Sequence, residues 1–101
     1  MPTKLPNPQI VYLLKYGQVR RGKLVGIHFK KGEDVLRWQV ILGSGIGSAH
    51  QRIRLKRRSK ALINIFLKTQ EPRFGDYLFI VKKQAETASF QELKQDLERI
   101  F

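Results

Sequence analysis

The stretch SAHQRIRLKRRSKALI, residues 48–63, constrains the fold more than any other part of the sequence. Six of the nine residues from Arg52 to Lys60 are Arg or Lys, and a largely apolar run follows from Ala61 to Leu67. At the turn of about 100° per residue of an α-helix, the apolar positions share one side. These core-side positions are Leu55, Ser59, Leu62 and Phe66. The spacing predicts a helix over residues 49–68, charged in its first half and buried in its second.

The cations of this helix are expected to face solvent or a partner. Arg54, Lys56, Arg57 and Lys60 spread over the side opposite the core, and Arg52 and Arg58 flank the core stripe. No acid stands inside the run, and like charges at i,i+4 destabilise a helix slightly. The whole chain carries a net charge of +12 over 101 residues. Such a surplus favours a polyanionic partner, RNA or DNA, over a basic domain with no special partner.

The sequence predicts neither catalytic residues nor a metal site in the protein. It has no Cys, and its two histidines, His28 and His50, are far apart without a carboxylate at ligand-like spacing. No carboxylate pair or Ser–His arrangement is visible, and nothing indicates a small-molecule substrate. The N-terminal residues lack the apolar core of a signal peptide, and no run approaches the roughly 20 apolar residues of a membrane span. We therefore expect a cytoplasmic protein without a membrane partner.

The remaining patterns predict one α+β domain over residues 1–101, since 42% of the residues are hydrophobic. Residues 1–7 read as an extended arm, Asn7 as the N-cap of a helix over 8–16, and Gly17 as its end. Strands are expected at 23–29 and 35–42, pairing as a hairpin, with 18–21 an open question. A turn at 71–76 precedes a buried central strand at 77–83. Ser89 and Glu92 form a capping box for a last amphipathic helix carrying Phe90, Leu93, Leu97 and Ile100.

Two features leave alternatives open. The loop GSGIGS, residues 43–48, matches neither dinucleotide-binding nor P-loop patterns, but free backbone amides before a helix could hold an RNA phosphate. A plain connection is the other interpretation. Trp38 shares a strand face with Leu36, Val40 and Leu42, which favours a core position, while a stacking platform for RNA bases is the rival.

The motif of the basic helix and the order of elements resemble the protein subunit of bacterial ribonuclease P. That family has a basic helix reading approximately A-x-x-R-N-R-x-K-R-x-x-R, and this sequence is similar at Ala49, Arg52, Arg54, Lys56, Arg57 and Lys60. Its apolar strand opened by Asp and ended by a basic pair resembles GDYLFIVKK. The resemblance covers residues from about Pro8 to Phe101. It implies a two-layer α/β sandwich, order α-β-β-(β)-α-β-α, with a left-handed βαβ crossover, which is otherwise rare.

The resemblance also implies a function. The protein would assist a catalytic RNA subunit in removing the 5′ leader from precursor tRNA, with Mg²⁺ held by the RNA and no cofactor on the protein. The expected oligomeric state is a monomer. RNA would be bound by Arg52, Arg54, Lys56, Arg57, Arg58 and Lys60. The positions of the family's leader cleft fall on Ile10, Leu14, His28, Ile41 and Ile53.

The sequence departs from the family mainly in that cleft. The Asn of the Arg-Asn-Arg motif is Ile53, two cleft Phe positions are Ile10 and Leu14, and a cleft Tyr aligns near His28. A Lys pair before the glycine loop is replaced by Ser44 and Gly45. Binding of the catalytic RNA is therefore expected to be retained better than stacking on leader bases.

Two further functions stay open. One is a ribosome-associated RNA-binding module of similar fold with no role in tRNA processing. The other is a DNA-binding protein that inserts the basic helix into a major groove, which the lack of a second helix in helix-turn-helix spacing disfavours.

Overall fold

The elements follow one another as helix, three strands, helix, strand and helix, the order that the sequence predicts. A computed structural model describes residues 4–69 and 74–101, so the start of the arm and residues 71–73 of the expected turn lie outside the described residues. The helices are α1 (Asn7–Tyr16), α2 (Ala49–Thr69) and α3 (Phe90–Ile100), with a 3₁₀ helix over Lys83–Glu86. The strands are β1 (Gln18–Arg21), β2 (Val25–Lys31), β3 (Leu36–Leu42) and β4 (Gly75–Val81).

Strand β4 lies inside a four-stranded sheet of order β1-β2-β4-β3. It pairs antiparallel with β2 and parallel with β3. Helix α2 connects the two parallel strands, which gives the βαβ crossover expected from the resemblance; its left-handed sense stays a prediction. Because β4 is paired along both edges and covered on both faces, it is almost entirely buried, as its apolar sequence indicates.

The expected hairpin between the strands at 23–29 and 35–42 is wrong. Strands β2 and β3 do not pair, because β4 lies between them. The apolar strand β4 thereby pairs its backbone groups along both edges, with β2 on one side and β3 on the other. The short segment 18–21, left open by the sequence, is strand β1 and pairs with β2.

The β2–β3 connection passes the start of β4 at very close range. Gly75 has φ of 124°, and a Cβ on it would lie 2.3 Å from the carbonyl oxygen of Lys30. Its amide donates to the carbonyl of Val35 at 2.7 Å, and Gly32 donates to the carbonyl of Phe74 at 3.1 Å. Only glycine combines that backbone conformation with that proximity.

The main core lies between the sheet and helices α2 and α3. The buried stripe of α2 contains Leu55, Ser59, Leu62 and Phe66, as predicted, together with Ile63. Trp38 is 9% exposed and meets Phe79 edge-on, with ring centroids 6.3 Å apart. The core position of Trp38 is thus confirmed.

Helix α1 covers part of the opposite face of the sheet. Leu13 packs there with Leu5 of the arm and Leu78 of β4 in a second, smaller cluster. The helix begins at Asn7 with Pro6 as its N-cap, so the expected N-cap role of Asn7 is wrong by one residue. Pro6 has the extended backbone conformation of an N-cap residue, although it offers no side-chain hydrogen bond to the helix. Gly17 ends α1 as predicted.

Helix α3 confirms the capping box but changes the expected buried face. The Ser89 hydroxyl accepts from the Glu92 amide, and the Glu92 carboxylate accepts from the Ser89 amide, each at 3.1 Å. These hydrogen bonds lower the pKa of Glu92. Phe90, expected on the apolar face, is the first residue of the helix and is 50% exposed. Asp96 is buried instead, between Leu93 and Leu97.

Asp96 joins α3 to the start of β2. Its carboxylate accepts hydrogen bonds from the backbone amides of Lys23, Leu24 and Val25 at 3.1, 2.9 and 3.0 Å. It also pairs with Arg99. Burial by itself would raise the pKa of Asp96, but the three amide donors and the Arg99 guanidinium lower it below its ordinary value.

We expect Asp96→Asn to destabilise the fold by about 2–3 kcal/mol at pH 7, because a neutral amide replaces an ionised acceptor of three hydrogen bonds. A carboxylate with a lowered folded-state pKa stabilises above its unfolded pKa of about 3.9, and that contribution is lost as the pH falls through the folded-state value. Urea unfolding from pH 7 to pH 2 measures both. Glu98→Gln on the exposed side of α3 is the control. Equal stabilities at pH 7, or a difference that does not shrink in acid, would contradict this role.

Candidate nucleic-acid interface

The N-terminus of α2 is closed by side chains. The Ser48 amide donates to Gln51 Oε1 at 2.9 Å, and the Gln51 amide donates to Ser48 Oγ at 3.3 Å, which is a reciprocal capping arrangement. The Gly47 amide donates to Glu86 Oε1 at 3.1 Å. The amides of Gly47 and Ser48 are therefore engaged, so the expectation of free amides holding a phosphate is wrong at these two positions. The motif Ser48-x-x-Gln51 was the signal in the sequence.

All six cations of the basic run are exposed on α2, which confirms the predicted helical register. They are Arg52, Arg54, Lys56, Arg57, Arg58 and Lys60. The ion pairs in residues 4–69 and 74–101 are Arg37–Asp76 and Arg99–Asp96, and neither involves this run. We call these six residues the basic face. Its charge is unneutralised by any carboxylate in the described chain.

Arg58 and Arg54 lie on the flank of α2 that faces the 3₁₀ helix. Arg58 donates to the backbone carbonyl of Ala88, which holds its guanidinium against the segment before α3. Arg54 and Arg58 line a small cleft with Gln51 and Glu86. Glu86, which is distant in sequence, thus lies in the same cleft as two cations of the basic face, although no ion pair joins it to them.

The five expected cleft residues are only partly brought together. Ile10 and Ile41 pack against the small cluster under α1. His28 lies on the same sheet face, since it pairs with Leu78, and its buried Nδ1 has no hydrogen-bond partner among the described residues. Leu14 is exposed on α1. Ile53 is 56% exposed on α2, whose buried side chains belong to the opposite face of the sheet.

A polar network at the end of this face was not predicted. Arg37 Nε and NH2 donate to the two oxygens of Asp76 at 2.7 and 2.8 Å, and Gln9 of α1 donates to Asp76 Oδ2 at 2.7 Å. The hydrogen bond and charge of Asp76 raise the pKa of Arg37. The ammonium of Lys30 lies 5.2 Å from the centre of the Tyr12 ring. Asp76, near the start of the apolar strand β4, was the feature of the sequence that could have indicated this network.

The described residues contain no cluster of three or more His, Asp or Glu that could hold a metal ion. No helix among them is long and apolar enough to cross a membrane. The chemistry on the surface is instead that of a basic helix beside a partly apolar sheet face.

A known protein family matches almost the whole chain. The family model described as Ribonuclease P matches residues 6–101. The chain belongs to the Ribonuclease P family. It is 31% identical over 78 residues to the ribonuclease P protein component of Streptococcus pyogenes serotype M49 (strain NZ131), and equally to that of serotype M1. The match covers 77% of this chain and 64% of each relative's length.

Solved ribonuclease P proteins share the fold. The match to the Staphylococcus aureus protein covers 99% of this chain and 93% of that protein's chain. Its TM-score is 0.80 at 14% sequence identity. The Thermotoga maritima protein covers 95% of this chain and 92% of its own, with a TM-score of 0.78 at 20% identity. The fold expected from the resemblance is therefore confirmed by family and by structure.

The exposure of Ile53 on α2 yields a prediction. We expect Ile53→Asn to change the free energy of unfolding by less than ~0.5 kcal/mol, as for ordinary surface positions. Thermal or urea unfolding measures this, and Ile63→Asn, at a fully buried site of the same helix, is the destabilised comparison. A loss of several kcal/mol for Ile53→Asn would show that a part of the protein covers this side chain.

Proposed function

We propose that the protein is the RNA-binding subunit of a ribonuclease P, which assists a catalytic RNA in removing the 5′ leader from precursor tRNA. Membership of the family and the basic face support this proposal. The RNA carries the chemistry and holds the Mg²⁺, and the protein contributes no catalytic side chain. It acts as a single domain and a monomer within the complex, in the cytoplasm, where precursor tRNA is made.

The observation that carries the proposal is the exposed charge of α2, which forms no ion pair among the residues that the structure describes. A ribozyme and its precursor substrate are both polyanions, so they repel each other when they associate. Six cations on one rigid helix replace condensed counterions, and their release favours binding. The RNA then needs less Mg²⁺ to reach the same activity.

The face under α1 is the proposed contact for the leader. Its residues Ile10, His28 and Ile41 offer apolar packing and one small imidazole ring rather than the larger rings of Phe, Tyr or Trp, so stacking on leader bases is weak. Leu5 of the arm is buried against the same cluster and fills part of this surface. We therefore assign most of the binding free energy to the basic face.

Reconstitution with a bacterial ribonuclease P RNA tests the proposal. Adding the protein should raise cleavage of precursor tRNA at a low Mg²⁺ concentration that leaves the RNA alone nearly inactive, and the product should be the mature 5′ end. A ribosome-associated module would bind RNA without this gain. A complex that forms yet leaves the Mg²⁺ dependence unchanged would refute the proposed function.

Charge reversal tests the role of the basic face. The double variant Arg54→Glu, Lys56→Glu should weaken binding of the catalytic RNA, and the slope of log K against log salt should fall by roughly 1 for each phosphate that the variant no longer binds. Lys23→Glu with Lys94→Glu changes the net charge equally at exposed positions near or on α3 and is the matched control. An equal effect of both double variants would indicate net charge rather than a defined contact.

A further inference from the structure

A groove of about 610 Å³ runs between α2 and the edge strand β3. Trp38 and Val40 form its wall on the strand, and Lys60, Asn64 and Lys68 form its wall on the helix. We call it the α2–β3 groove. Its volume is in the range of pockets that hold small organic ligands or single nucleotides. It lies on the α2 side of the sheet, away from the cluster under α1.

The charge of the groove has one sign. Five of its lining residues are cations, and none of the described residues that line it is an acid. The five are Lys4, Lys56, Arg57, Lys60 and Lys68. An anionic ligand is therefore the complementary occupant. Lys56, Arg57 and Lys60 also belong to the basic face, so the groove is continuous with it.

The helix wall is a regular stripe. Arg57, Lys60, Asn64 and Lys68 are spaced by three, four and four residues, so they share one side of α2 over about 16 Å. Between the cations, Asn64 is half-buried and offers an amide that can both donate and accept hydrogen bonds.

The strand wall supplies apolar surface. Trp38, which is 9% exposed, meets Phe79 edge-on in the core and lines the groove beside Val40. Aromatic and apolar walls beside cations and amides are the chemistry that receives an unstacked base with its phosphates. Trp38 thus combines its core position with a place in the groove wall.

We propose that the α2–β3 groove receives an unpaired nucleotide of the catalytic RNA. Its base packs between Trp38 and the helix, near the amide of Asn64, and its flanking phosphates contact Lys60 and Lys68. The inference rests on the proposed function. The catalytic RNA is the occupant because the groove is continuous with the basic face, which binds that RNA, whereas the precursor leader is assigned to the opposite face of the sheet.

The absence of cysteine from the sequence allows a direct test. Asn64→Cys, and in a second variant Lys68→Cys, would each carry a photoreactive group on the single thiol. The reconstituted complex with ribonuclease P RNA and precursor tRNA is irradiated, and the crosslinked nucleotides are mapped. Ile65→Cys is the matched control, because this neighbouring side chain is 54% exposed and turned about 100° away along the helix.

We expect Asn64 and Lys68 probes to crosslink to one unpaired region of the catalytic RNA, and the Ile65 probe not to. The fluorescence of Trp38, the single tryptophan, should change with the same midpoint as RNA binding. Crosslinks to the leader instead, or none from a complex that binds and cleaves normally, would overturn the groove assignment alone. Absence of binding and of cleavage enhancement by the unmodified protein would overturn the proposed function itself.

Discussion

The repulsion among the cations of α2 is the constraint on which the rest of the structure depends. A helix with six cations in one stretch, none of them paired with a carboxylate in residues 4–69 and 74–101, has little stability of its own, because neighbouring turns repel each other. Burial of Leu55, Leu62, Ile63 and Phe66 against the sheet supplies the compensating free energy. The reciprocal capping by Ser48 and Gln51 stabilises the first turn without adding an acid. The helix is therefore held in shape by its apolar side, and its charge remains available to a polyanion.

The packing of α2 on the sheet depends on the central position of strand β4. Its apolar side chains serve both faces of the sheet: Phe79 and Val81 contact the layer of α2 and α3, and Leu78 contacts the cluster under α1. The crossover from β3 to β4 places α2 along the edge strand, which creates the α2–β3 groove. Asp96 joins α3 to the start of β2, because its carboxylate accepts hydrogen bonds from three backbone amides there.

The sequence predicts those parts of the structure that depend on the spacing of residues within a single helix or strand. The register of α2, the capping box of α3 and the core position of Trp38 follow from local spacing, and each is confirmed. Strand pairing depends on β4, which comes more than thirty residues after β3 began, so the favoured hairpin was wrong. The burial of Asp96 depends on amides far along the chain and has no local signal. The basic face could be predicted because its cations follow the helical spacing of α2. The contacts of Ile10 and Ile41 could not, because they form only when α1 packs on the sheet.

The salt dependence of folding tests most directly whether the basic face is left unneutralised, as it is among the residues that the structure describes. The free energy of unfolding would be measured by urea titration from about 0.01 M to 0.15 M NaCl, over which the screening length falls from roughly 30 Å to 8 Å. If the cations repel one another, stability rises with salt, and replacing Arg54 and Lys60 by Gln raises stability at low salt and flattens the dependence. A stability that falls as salt is added, with the Gln variant less stable than the original chain, would show instead that these cations are paired in the folded protein.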